Sequence, residues 1–117
     1  MNEKDLLTLT KKFALRIIKL VDALPKTLVG RTIGGQLIRS GTSVSSNYRT
    51  ACRGRSKAEF IAKLGIVEEE ADESCHWLEM IVESKLMEER LVRDLLREAN
   101  EITAIMAASK KTARARK

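Results

Sequence analysis

Proline occurs once in this chain and aromatic residues four times, as one Trp, one Tyr and two Phe. Sheet proteins draw on β-branched and aromatic residues separated by frequent turns, so their shortage argues against a sandwich or a barrel. Histidine occurs once, at His76, which excludes a site built from two Glu-x-x-His motifs. The cysteines, Cys52 and Cys75, stand alone without a short-spaced motif, and no histidine but His76 is near enough to activate one. No apolar run approaches the 18 or so residues of a membrane span. The charged opening Met1-Asn2-Glu3-Lys4-Asp5 does not resemble a secretory segment. A cytoplasmic protein with reduced thiols and no membrane partner is therefore expected.

What is present is helix-forming material. The 117 residues are 44% apolar and lean on Leu, Ile, Ala, Glu, Lys and Arg. That length suits one domain, 1–117, burying roughly two-thirds of its unfolded surface. The net charge of +6 is unevenly placed: residues 1–67 carry 13 Lys/Arg against 4 Asp/Glu, residues 68–117 carry 9 against 12. The tail Lys110, Lys111, Arg114, Arg116, Lys117 is again basic. Such a pattern suits a polyanion, and it equally suits head-to-tail contact between copies.

Apolar spacing predicts four helices. Leu6, Leu9, Phe13, Ile17, Leu20 and Leu24 mark one face of a helix over about 4–24, ended by Pro25. Ile33, Leu37, Gly41, Val44, Tyr48 and Ala51 continue the helical step over about 30–53, although Ser40–Asn47 is poor in helix formers and reads almost equally as loop. Phe60, Leu64, Val67, Ala71, Ser74, Leu78 and Ile81 predict a third helix over about 56–85. Leu91, Leu95, Ile102 and Met106 point inward from a fourth over about 88–110, with 111–117 fraying. Short connections make this an all-α, antiparallel up-down-up-down four-helix bundle.

The densest internal charge is Arg49-Thr50-Ala51-Cys52-Arg53-Gly54-Arg55-Ser56-Lys57-Ala58-Glu59. Gly54 suits a left-handed helix end, and Ser56-x-x-Glu59 suits a capping box. Gly35, Arg39, Thr42, Ser46, Arg49 and Arg53 form one stripe of helix two, which Arg55 and Lys57 extend past the elbow. Guanidinium groups hold phosphates bidentately, and the small hydroxyl neighbours leave room for a backbone. The competing reading pairs these arginines with Glu68, Glu69, Glu70 or Glu73, or with another protomer. No aromatic lies on the stripe, so base stacking is not indicated. Lys110, Lys111, Arg114 and Arg116 read either as a solvated end or as a mobile polyanion-binding arm. Gln36, Ser43 and Asn47, on another stripe, suit interhelix hydrogen bonds better than a ligand site. Gly34-Gly35 opens no phosphate loop. No cofactor, metal or catalytic residue is expected.

Two patterns carry a family resemblance: Arg39-Ser40-x-x-Ser43-x-x-x-Asn47-Tyr48, continuing through Arg53-Gly54-Arg55-Ser56, and Glu70-x-x-Glu73-x-x-x-Trp77-Leu78. Over roughly 6–112 the chain resembles the four-helix bundle proteins encoded in intervening sequences of bacterial 23S rRNA genes. Their relatives include the accessory variability determinant of diversity-generating retroelements. The resemblance implies a long second helix and a ring-like homopentamer. It also implies a basic surface for RNA or DNA and a reverse transcriptase as a possible partner. Glu70, Glu73 and Trp77 match family positions, where Trp77 suits helix packing or a protomer seam and the glutamates suit pairing with helix-two arginines. A self-assembly or protein-binding module without nucleic acid is the alternative.

Overall fold

The computed structural model describes residues 1–116. Among them are four helices and no strand: α1 (Glu3–Asp22), α2 (Leu28–Cys52), α3 (Lys57–Glu83) and α4 (Glu89–Ala115). Each consecutive pair packs along its length, and α1 meets α4 less closely, tied there by the Arg16–Glu98 ion pair. The body measures 50 × 20 × 19 Å, about one helix long and two wide.

Local chemistry explains the starts of three helices. The Asn2 side chain accepts from the Asp5 amide at 2.8 Å while Asp5 accepts from the Asn2 amide at 3.1 Å, a reciprocal capping box for α1. Thr27 caps α2 by accepting from the Gly30 amide at 3.1 Å. Ser56 does the same for α3, accepting from Glu59 at 3.1 Å. The Glu88 side chain makes no such bond at the start of α4.

The serine- and glycine-rich run of α2 is helical throughout. Its hydroxyls bond back into their own helix rather than competing with it: Thr42 to the Ile38 carbonyl at 2.6 Å, Thr50 to the Ser46 carbonyl at 3.0 Å. Gly41 lets α2 lie against α1, since a Cβ there would sit 2.7 Å from Ile17 Cγ2. Tertiary packing thus overrides weak propensity.

Two expectations need correcting. Leu95, Ile102 and Met106 are buried as expected, but Leu91 faces solvent, 53% exposed, because Val92 takes the inward place in the first turn of α4. The tail does not fray after Lys110, for α4 continues to Ala115, where buried Ala113 still touches the body. Lys117 lies outside the described residues.

The break after α3 is a Schellman turn, with the Leu86 amide on Ile81 O and the Lys85 amide on Val82 O, both at 3.1 Å. Lys85 occupies the left-handed position, φ 60°, which favours glycine. Lys85→Gly is therefore expected to stabilise the fold by about 1 kcal/mol, read as a higher denaturation midpoint at unchanged m-value.

Candidate nucleic-acid interface

The bundle gathers basic residues at one pole. Lys57, at the start of α3, donates to the Arg114 carbonyl at 3.4 Å and to the Arg116 carbonyl. Asn2, Tyr48, Phe60 and Thr112 line a common cleft beside them. The starts of α1 and α3 and the ends of α2 and α4 therefore share this pole, and consecutive helices run in opposite directions. Two basic segments far apart in sequence, 49–57 and 110–116, are brought together there.

The elbow between α2 and α3 has simple chemistry. Arg53 is the helix cap, with its amide on the Thr50 carbonyl at 3.1 Å, and the Gly54 amide bonds the Ala51 carbonyl at 3.0 Å. Gly54 does not take the left-handed conformation expected of it, since no described glycine has positive φ. Glycine fits for closeness instead: a Cβ would lie 3.1 Å from Ala51 O. The capping box is also altered. Glu59 reaches past Ser56 to accept from the Arg55 amide at 2.7 Å.

The nine cations singled out from the sequence divide into two groups. Arg39 is held by the α3 carboxylates, donating to Glu70 at 3.0 Å and to Glu73. The hydrogen bond from Arg39 pulls the Glu73 carboxyl below the usual carboxylate range, and Arg39 is itself raised chiefly by that bond. Lys110 sits 2.6 Å from buried Glu68 Oε1, off the hydrogen-bonding direction, so this contact acts through charge. Lys57 is engaged with the end of α4, where an ammonium suits the unbonded carbonyls. By contrast Arg49, Arg53, Arg55, Lys111, Arg114 and Arg116 are exposed, with no carboxylate within 4.0 Å among the described residues. Arg39 therefore does not continue the open stripe.

Two depressions lie beside the open arginines. One, of about 760 Å³, follows the α1–α2 seam between Lys11 and Leu15 on one wall and Thr42, Ser46, Arg49 and Arg53 on the other. The second, about 460 Å³, is lined by Arg53, Arg55 and Lys63 under the elbow. The sequence reading missed Lys11. Its only local signal is a four-residue step from Leu7 and Leu15, and its place opposite Arg49 depends on how α1 docks.

The polar packing residues also differ from expectation. Asn47 donates to the Ser43 carbonyl of its own helix at 2.9 Å, Ser43 is half-buried, and Gln36 is exposed, so none of the three forms an interhelix hydrogen bond. The buried α2–α3 pair is Ser40–Ser74, 2.9 Å apart, with Ser74 donating to the Glu70 carbonyl. Half-buried Trp77 directs its indole N–H at Glu73, 3.4 Å away, and meets the exposed His76 ring edge-on. Burial pushes the Cys52 and Cys75 thiols up to about 11, so both stay protonated at neutral pH. No described helix is long and apolar enough to cross a membrane. No cluster of three metal-ligating side chains occurs among the described residues.

The architecture and sequence can be placed among known proteins. No curated protein sequence matches the chain. A crystal structure of a protein of unknown function from the S23 ribosomal protein family of Bacteroides thetaiotaomicron VPI-5482 superposes with a TM-score of 0.88 at 29% identity. That match covers 95% of this chain and 99% of the other. The family model for 23S rRNA-intervening sequence proteins matches residues 3–108, nearly all four helices. The chain belongs to the 23S rRNA-intervening sequence protein family.

Proposed function

We propose that this protein is a non-enzymatic accessory protein that holds a nucleic acid by its phosphate backbone. The observation that carries the reading is the division of the cations. Those with internal partners, Arg39, Lys57 and Lys110, account for helix packing, whereas six others stand open around one pole and the adjoining groove. Solvated like charges gathered on one surface repel each other and gain from a polyanion that neutralises them. With no aromatic lining the groove beside the open arginines, the grip there is electrostatic and insensitive to sequence. The family resemblance extends the proposal to a ring of five copies and to a reverse transcriptase as protein partner.

The test is the triple variant Arg49→Glu, Arg53→Glu, Arg55→Glu, titrated by fluorescence anisotropy against a structured RNA at several salt concentrations. Loss of three phosphate contacts is expected to weaken binding at least about tenfold and to flatten the log–log salt slope by roughly 2–3. Unchanged binding by a variant with the native circular-dichroism melt overturns the proposal. A second reading, self-assembly without nucleic acid, has one observation in its favour. Leu15 and Ile18 stand 58% and 41% exposed on α1, more apolar surface than a solvated helix needs. It predicts a multiple of the chain mass in light scattering together with no RNA binding at moderate salt.

A further inference from the structure

We propose that the α1–α2 groove prefers ribose to deoxyribose, taking an RNA strand whose 2′-hydroxyls donate to Thr42 and Thr50 while its phosphates meet Lys11, Arg49 and Arg53. This rests on the nucleic-acid reading above and narrows it to one class of ligand.

The argument begins with where the hydroxyl hydrogens go. A hydroxyl carries one hydrogen and two lone pairs. Thr42 commits its hydrogen to the Ile38 carbonyl at 2.6 Å and Thr50 to the Ser46 carbonyl at 3.0 Å, whereas Ser46, 3.4 Å from the Ser43 carbonyl, holds its own only loosely. Both threonines line the groove, so what they present to it is lone pairs. A phosphate oxygen is an acceptor only and finds no donor in them. Deoxyribose has no hydrogen to give at its 2′ position, whereas a ribose 2′-hydroxyl does, and this group is what separates RNA from DNA in protein sites.

Spacing supports the same occupant. Thr42, Ser46 and Thr50 follow four-residue steps, about 6 Å apart at 1.5 Å per residue, a row along the helix rather than a point. Arg49 and Arg53 lie beside that row, and Lys11 faces it from α1, so cations and acceptors run in parallel. A strand that presents anions and hydroxyl donors at each successive unit matches both rows. The aliphatic Leu7 and Leu15 complete the lining and suit the sugar edges, and no aromatic lines it to stack a base.

The test compares one sequence in three chemistries: RNA, 2′-fluoro RNA, which keeps the A-form but removes the donor, and DNA. Each is titrated by anisotropy against the unmodified protein and against Thr42→Val with Thr50→Val, which keeps side-chain shape and removes both acceptors. RNA is expected to bind roughly tenfold tighter than the 2′-fluoro strand, the effect of two hydrogen bonds of ordinary strength. The double variant is expected to erase that gap while moving 2′-fluoro RNA and DNA by less than about twofold. If the double variant melts early, Thr50→Val alone, at an exposed position, should erase about half the gap. Equal, salt-dependent affinity for all three ligands overturns the ribose preference and leaves the nucleic-acid reading standing. So does an RNA advantage over DNA that 2′-fluoro RNA shares, or one that the valine variants retain. Binding to none of the three overturns both.

Discussion

Gly30→Ala is expected to lower the melting temperature by roughly 10 °C, whereas the same change at Gly35 raises it by about 4 °C. Both glycines lie in α2, and both gain helix propensity as alanine, about 1 kcal/mol. They differ in surroundings. A Cβ on Gly30 would stand 2.0 Å from the Pro25 carbonyl oxygen and 3.0 Å from its carbon, and the obstacle is backbone that cannot rotate away. Relief requires moving the loop that carries Leu24 into the core and Thr27 onto its cap, so the cost is about 3 kcal/mol, the upper part of the overpacking range. Gly35 is exposed and has nothing within 4 Å of the added carbon. Melts by circular dichroism at one fixed protein concentration check the pair, since any association would make the midpoint concentration-dependent. Equal shifts of either sign would show that the α1–α2 turn does not pass where it is described.

The second large effect is Leu78→Ala, expected to cost about 2–5 kcal/mol in urea unfolding, against less than about 0.5 kcal/mol for Leu91→Ala. Leu78 is wholly buried in the last third of α3 as part of the hydrophobic core, so truncation removes transfer free energy and leaves a cavity. Leu91 occupies the first turn of α4 and is 53% exposed. The comparison has a further use, because a large loss at Leu91 would mean that a second copy covers it in solution.

Much of the architecture was legible because burial leaves a periodic trace. Phe13, Ile17, Leu37, Val44, Leu64, Leu78 and Ile102 each recur at helical spacing, and each is fully buried. The trace weakens where small or polar residues do the packing. Ala99 belongs to the inward face of α4 as fully as Ile102, but a reading that follows large side chains passes over it and selects Leu91. Ser74 stood on the expected stripe, while its partner Ser40 was hidden in a run of hydroxyl residues that differ only in which way they point.

The candidate site was legible in its ingredients and not in its composition. A list of arginines and lysines does not say which of them another helix neutralises. Arg39 and Arg49 look alike on one stripe of α2, yet α3 brings Glu70 and Glu73 to the first and no carboxylate to the second. Likewise Lys57 and Lys110 carry charge in the sequence and are engaged by α4 and α3 in the fold.

By itself the sequence determined the class, three of the helices and the basic bias, because these follow from propensity, hydrophobic period and charge count, all local or additive properties, while packing against α1 and α3 decided the middle of α2. Only the tertiary structure decided which cations remain open, that the two basic segments meet at one pole, and that Lys11 faces Arg49 and Arg53 across a groove. Those facts depend on distances between residues tens of positions apart. Electrostatic energy falls with distance in space and takes no account of separation along the chain.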